Sequence, residues 1–340
     1  MIHESNRLKV AILGAGSWGI ALGNHCQSIG HDVRLWEFDP VAARRLEQQR
    51  ERPQVLKNIR IHDSINITND LNASIKNAEL ILLVVPSHVC RSVLKQLTQS
   101  QIQSNAVIVN CAKGIEIETL KRISEIVEQE LPSFTPRYAV LSGPSHAEEV
   151  AREIPTAVVV ASTDELVGRF VQQSLNSFHF RIYRSRDVVG VELGGSLKNV
   201  IAIAAGICDG AGFGDNTKAA LQPRGLAEMS RLGQKLGANP LTFAGLSGMG
   251  DLIVTCMSRH SRNRYLGEEI GKGKKLAHVL ESMTMVAEGV RTSQAVVKLA
   301  SREDVEMPIS FQVFDILFKD KEPKQALHEL FAREVKPEIW

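Results

Sequence analysis

Leu8-Lys9-Val10-Ala11-Ile12-Leu13-Gly14-Ala15-Gly16-Ser17-Trp18-Gly19 decides the fold. A mostly apolar run of strand length ends on glycines spaced G-x-G-x-x-G. The residues that follow change period: Trp18, Ala21, Leu22, Cys26 and Ile29 share one helical face, with Gly30 placed as a C-terminal stop. A strand that turns through such a loop into a helix makes a cradle for a pyrophosphate. Gly14 permits the tight turn, Gly16 leaves the phosphates room against the backbone, and Gly19 lets helix and strand approach. The amides of the helix start, where Ser17 and Trp18 stand, favour anionic charge.

Outward from the loop, residues 33–36 read as the second strand. Glu37 or Asp39 then arrives 18 or 20 residues after Gly19, where an acidic side chain commonly holds the adenosine ribose hydroxyls of a dinucleotide. A carboxylate there repels a 2′-phosphate. Arg34 is the only nearby cation, but strand alternation and its place before the strand end make it a poor phosphate clamp, while Arg44 and Arg45 fall on the following helix. The expected cofactor is NAD(P)H, with NADH preferred. Phe38 is placed either to stack on the adenine or to pack internally.

Further along, residues 80–85, 106–110, 138–141 and 157–161 repeat the short, continuous apolar pattern of strands buried on both faces, with helical patterns between them. That alternation predicts a parallel, doubly wound sheet with right-handed crossovers. From about residue 187 the strand signal stops and helical patterns take over, at 192–208, 217–236, 277–281 and 292–301. The expected class is α/β: a Rossmann-type dinucleotide domain over residues 1–188, then an all-α domain over 189–340. The cleft between them is the default place for chemistry.

The 340 residues have room for about two domains. Their 40 basic and 38 acidic residues leave a net charge of +2, no reason to expect nucleic acid or a membrane surface as partner. The longest unbroken apolar runs, 80–85 and 200–205, fall well short of the roughly 18 residues of a membrane span. Residues 1–9 (MIHESNRLK) are polar and lack the pattern of a secretory signal, so the expectation is a cytoplasmic chain without a membrane span. Cys26, Cys90, Cys111, Cys208 and Cys256 are scattered with no CxxC, which supports neither a disulfide framework nor a metal site and fits small buried hydrophobes. Lys272 to Lys275 (KGKK) reads as a solvated loop.

A dehydrogenase acting on a ketone or alcohol needs a proton donor or acceptor beside the reacting oxygen. Lysine serves once desolvation and a neighbouring like charge lower its pKa. Lys198, in Glu192-Leu193-Gly194-Gly195-Ser196-Leu197-Lys198-Asn199, sits on a helix of small and apolar residues. Lys113 follows a strand at the carboxyl edge where open α/β sheets bind ligands, and is its expected cationic neighbour. Ser142-Gly143-Pro144-Ser145 lies at the same edge, either lining the substrate or forming a structural turn. Gly245-Leu246-Ser247-Gly248-Met249-Gly250-Asp251 has no strand before it, so it reads as close backbone packing that delivers Asp251 to Lys198. Ser258-Arg259-His260-Ser261-Arg262-Asn263-Arg264 is a dense set of donors opening a helix, an anion site or a solvated basic turn. His88, after a strand edge, either lines the cofactor or belongs to a structural loop.

Together these segments resemble the NAD(P)-dependent glycerol-3-phosphate dehydrogenases of bacteria. GAGSWG (14–19), VPSH (85–88), KG (113–114), SGPS (142–145), ELGGSLKNVIAIAAGICDG (192–210), RGLAEM (224–229), GMGDLIVTC (248–256), SRNR (261–264) and VAEGVRT (286–292) fall in the family's order. The resemblance implies reduction of dihydroxyacetone phosphate to sn-glycerol 3-phosphate for phospholipid synthesis by a homodimer. Lys198 is then the general acid and base, with Lys113 and Asp251 beside it. Substrate contacts carried over are Lys113, Gly143, Ser145, Lys198, Asp251, Ser261, Arg262 and Asn263; cofactor contacts are Ser17, Trp18, Lys113, Ala147, Arg262, Val286 and Glu288. Three positions depart from the family pattern. Phe38 stands where Arg or His often meets the 2′-phosphate, His146 replaces a usual Phe, and Gln222-Pro223 replaces Ile-Thr, with Pro223 expected to kink or restart its helix. The alternatives are a two-domain hydroxyacid dehydrogenase, which would take a carboxylate instead of a phosphate, and a non-catalytic dinucleotide sensor, which has no need for the lysines and Asp251 together.

Overall fold

The strand before the glycine loop, β1 (Lys9–Leu13), is the first of eight in the computed structural model, which describes residues 7–283, 285–335 and 337–338. The others are β2 (Asp32–Trp36), β3 (Asn66–Thr68), β4 (Leu80–Leu83), β5 (Val107–Asn110), β6 (Tyr138–Ser142), β7 (Thr156–Ala161) and β8 (Phe180–Ser185). They form one sheet in the order β3-β2-β1-β4-β5-β6-β7-β8, with Ile12 of β1 opposite Leu35 on one side and Leu82 on the other. The order reverses between β1 and β4, so the crevice at their carboxyl ends opens beside the glycine loop. The continuous apolar runs of β4 and β5 are buried at every residue, as strands covered on both faces must be. Residues 1–6, on which part of the reading of a polar start rests, lie outside the described residues.

The sheet is not wholly parallel, contrary to expectation. β7 runs antiparallel to β6, with Val140 opposite Ala161 and Ser142 opposite Val159, and β8 runs parallel to β7. The connection from β6 to β7 contains only the one-turn helix Ala147–Val150, too little to carry the chain back to the far end of the sheet. This reversal positions the site. Helix α1 (Ser17–Ser28) follows the glycine loop and α2 (Pro40–Gln49) follows β2; after β8 comes α3 (Val188–Ala211), which runs back beside β6. Glu192 of α3 meets Tyr138 at the start of β6. Three residues later Gly195 faces Ser142 at its end. The rise of about 1.5 Å per residue then brings Lys198 beyond the sheet's carboxyl edge.

By length and composition α3 is apolar enough to cross a membrane, as is the stretch Pro240–Met257. The unbroken-run reading missed both because glycines, serines and single charges interrupt the runs. The apolar window of α3 is 94% buried inside the fold, as its place at the centre of the helical half requires, and Pro240–Met257 is broken into three short helical pieces.

Around α3 pack α4 (Asp215–Lys235), α5 (Asp251–Met257), α6 (Arg262–Gly271), α7 (Glu288–Glu303) and α8 (Pro308–Phe318). Their core joins Leu197, Ile201, Ile203, Met229, Leu252, Leu266, Val296 and Val313, whereas Val188 and Val191 of α3 belong to the core on one face of the sheet. Where α3 crosses α6 the backbones touch. A Cβ on Gly206 would lie 2.0 Å from the Arg264 carbonyl oxygen, and one on Gly267 2.1 Å from that of Ile203. Pro223 does not restart its helix, since α4 runs through it without a break. Pro223 and Ala219, whose carbonyl loses its partner, are both exposed, so water can serve that oxygen. All five cysteines are buried and free.

Candidate active site

The cradle forms as its glycines demand. Gly14 has φ +118°, and a Cβ on Gly19 would lie 1.8 Å from the Gly14 carbonyl oxygen, while a Cβ on Gly16 would meet nothing within 4 Å. The start of α1 carries no side-chain cap, leaving its amides for an anion, and the loop fits a dinucleotide pyrophosphate. Trp18 is half-buried, its ring 6.3 Å from that of Phe180. Phe38 is 75% exposed at the end of β2, which leaves its ring free to meet an adenine and removes the internal-packing alternative.

At the ribose end the reading of Arg34 as the only nearby cation is corrected. Arg34 donates to the carbonyls of Ala73 and Lys76 at 2.8 and 2.7 Å, and so is committed to the end of another helix. The nearby cation is Arg52, whose Nη1 donates to Glu37 Oε2 at 2.6 Å and to the Ala15 carbonyl at 2.8 Å. Glu37 is buried, and Asp39 caps α2 by accepting from the Ala42 amide at 2.6 Å.

At the carboxyl edge, the Asn110 side chain accepts from the Ala112 amide at 2.9 Å and turns the chain after β5 so that Lys113 points inward. Lys113 Nζ donates to Asp251 Oδ2 at 2.6 Å and to the Gly143 carbonyl at 3.1 Å. Lys198 Nζ lies 3.0 Å from Asp251 Oδ1 and donates to Thr255 Oγ1 at 2.7 Å. Asp251 thus bridges the two lysines. Burial alone would raise its pKa, but the ammonium groups of Lys113 and Lys198 hold it below the usual carboxylate range. Burial pushes Lys198 down to about 8; Asp251 opposes that shift and Lys113 adds to it. Asp251 arrives through the predicted close packing: a Cβ on Gly248 would lie 2.1 Å from the Phe243 carbonyl oxygen. Thr255 was not foreseen, although it stands four residues after Asp251 on the same helix face and donates back to the Asp251 carbonyl at 2.6 Å.

The anion segment opens α6. Ser261 caps it, accepting from the Arg264 amide at 3.2 Å, and Asn263 Oδ1 accepts from the Gly289 amide at 2.9 Å, tying the start of α6 to the start of α7. Both side chains keep a donor for a ligand. Arg262 is exposed and donates to the Val286 carbonyl at 3.1 Å. Glu288 accepts from the Ser87 amide at 3.1 Å; burial raises its pKa, against the pull of that bond and of the nearby Arg262. Val286 is partly exposed and Ala147 buried. Ser145 Oγ donates to the Gly143 carbonyl at 3.1 Å. His146 Nε2 is buried with no partner among the described residues, its ring 5.9 Å from that of His260. Burial and the charges of Lys198 and Lys113 lower its pKa. His88 is exposed.

Two family models cover almost the whole chain: the NAD-dependent glycerol-3-phosphate dehydrogenase N-terminus matches residues 9–167 and the C-terminus residues 187–328. The chain belongs to the NAD-dependent glycerol-3-phosphate dehydrogenase family. It is 50% identical over 333 residues to the glycerol-3-phosphate dehydrogenase [NAD(P)+] of Chlorobium phaeobacteroides, covering 98% of this chain and 99% of the relative. To that of a Thermoanaerobacter species it is 48% identical over 332 residues, with the same shares covered. The crystal structure of glycerol-3-phosphate dehydrogenase from Coxiella burnetii superposes with a TM-score of 0.91 at 37% identity, over 96% of this chain and 99% of that one. As a glycerol-3-phosphate dehydrogenase family member the chain is an NAD(P)-dependent oxidoreductase with a Rossmann-type first half and a helical second half.

Proposed function

We propose that this chain interconverts dihydroxyacetone phosphate and sn-glycerol 3-phosphate, mainly in the reductive direction, and that Lys198 is its general acid and base. The single observation that carries the assignment of Lys198 is a buried lysine, pushed down to about 8, held beside Asp251 at the carboxyl edge next to the dinucleotide cradle. When bound, NADH or NADPH supplies hydride to the carbonyl carbon. The chain's own residues do the rest. Arg262, with the spare donors of Ser261 and Asn263, holds the phosphate. Lys113, Gly143 and Ser145 line the three-carbon unit, and Lys198 gives the carbonyl oxygen its proton. Asp251 and Thr255 hold the Lys198 ammonium where it is needed, so the rate gain comes from orientation and one positioned proton. Ser17, Trp18, Phe38, Ala147, Val286 and Glu288 are assigned to the dinucleotide. In the reverse direction neutral Lys198 takes the proton from the alcohol.

The same reading carries a division at residue 188, a cytoplasmic homodimer, and a supply of glycerol 3-phosphate to phospholipid synthesis. The test is the loss of NADH or NADPH absorbance on adding dihydroxyacetone phosphate. No oxidation with either dinucleotide would overturn the proposal. Lys198→Met should keep NADH binding and lower turnover by about 10² to 10⁴; near-normal turnover would remove Lys198 from its role.

A further inference from the structure

The geometry points to Arg52 as the residue that receives the adenosine 2′-phosphate, so that the Glu37–Arg52 pair, and not Glu37 alone, sets the choice between NADH and NADPH. This rests on reading the glycine loop as a dinucleotide site. From the sequence, an acidic residue at the end of β2 argues against a 2′-phosphate. In the fold that carboxylate is turned inward: its side chain is 4% exposed, Oε2 is taken by Arg52 at 2.6 Å, and Oε1 faces the Asp39 amide at 3.3 Å. Arg52 is the outward member of the pair, with its side chain 29% exposed. One nitrogen, Nη1, makes both of its bonds, to Glu37 and to the Ala15 carbonyl inside the glycine loop, and its Nη2 and Nε have no partner among the described residues.

A buried carboxylate matched by a guanidinium does not present the field of a free carboxylate to an incoming phosphate. The group that meets the phosphate is the guanidinium, with two donors in a fixed fork left over. Asp39, the other carboxylate at the end of β2, is engaged as the cap of α2, while Arg44 and Arg45 are exposed on that helix, Arg45 beside Gln49 at 2.9 Å. With NADH the same free donors meet the ribose 2′- and 3′-oxygens, so each dinucleotide finds a partner. The tie to Ala15 links the recognition of this end to the shape of the loop under the pyrophosphate.

The test is calorimetric titration of the full chain with NAD+ and NADP+, with no turnover involved. The wild type should bind the two within about tenfold, and Arg52→Gln should raise the ratio of the NADP+ to the NAD+ dissociation constant about tenfold or more, the worth of one charged hydrogen bond. Arg52→Lys, which keeps the charge but loses the fork, should shift that ratio in the same direction by less than Arg52→Gln does. On the unmutated chain, 2′,5′-ADP should compete better than 5′-AMP, a comparison that needs no variant to fold. The inference is overturned if the wild type disfavours NADP+ by about a hundredfold or more, if Arg52→Gln weakens both dinucleotides by the same factor, or if 5′-AMP competes as well as 2′,5′-ADP. A wild type that binds neither dinucleotide overturns the reading of the loop itself.

Discussion

Lys198 carries a testable charge state. Its pKa of about 8 belongs to the free enzyme, so kcat/KM is the parameter that reports it. Ketone reduction needs the ammonium: log kcat/KM should be level below pH 8 and fall with unit slope above it. Alcohol oxidation needs the free amine, so log kcat/KM should rise with unit slope up to about 8 and then level. Asp251 raises this pKa, and Asp251→Asn should therefore move both breaks to lower pH. Profiles that break in the same sense for the two directions would argue against one group serving both. Lys198, Lys113 and Asp251 were legible because charged residues among glycines and apolar neighbours at strand or helix ends are conspicuous in a sequence. Thr255 was hidden as one more uncharged helix residue. Arg52 was hidden because it reaches the ribose end from 15 residues past Glu37, by a fold of the chain after α2 that no local pattern announces.

The crossing of α3 and α6 sets where the phosphate-binding segment stands relative to Lys198, because α6 begins at Arg262 and is pressed against α3 through Gly206 and Gly267. Gly206→Ala adds about 1 kcal/mol of helix propensity, yet its methyl would lie 2.0 Å from a backbone oxygen that cannot turn aside. Forcing the helices apart should lower stability by about 1–3 kcal/mol, or roughly 1–4 °C in Tm by thermal melt, and raise KM for the phosphate ester. An unchanged Tm would mean that the contact is looser than its geometry. Among the strands, those with continuous apolar runs were legible and two were not. β3 spans only Asn66–Thr68, too few residues to show a period. β8, Phe180–Ser185, is an edge strand that alternates buried Phe180 and Ile182 with exposed Arg181 and Tyr183, so it has no continuous apolar run. The antiparallel turn of β7 was illegible for another reason. A buried strand carries the same apolar run whichever way it points.

In the whole molecule, α3 belongs to two cores at once. Val188 and Val191 complete the packing on the sheet, and residues from Leu193 onward build the helical half. Glu192 stands at the join, where it accepts from Arg122 at 2.9 Å, from the Ser124 amide and hydroxyl at 2.8 and 2.6 Å, and from Tyr138 at 2.5 Å. A helix so fixed cannot melt in one half while the other stays folded. Heat unfolding of the chain should be one calorimetric transition with matching calorimetric and van't Hoff enthalpies; two resolved transitions would show that the cores are independent.

The direction in which a ribosome makes the chain gives this shared helix a further consequence. All eight strands precede α3, so the sheet is complete in sequence while Val188, Val191 and the Glu192 carboxylate that belong on it are still unmade. At about 5–20 residues per second, the 24 residues of α3 take about 1–5 s to add, and its first five, which carry Val188, Val191 and Glu192, about 0.3–1 s. During that interval the newborn first half exposes an apolar sheet face and the unpaired donors of Arg122, Ser124 and Tyr138. Its final fold waits on the next stretch of its own synthesis.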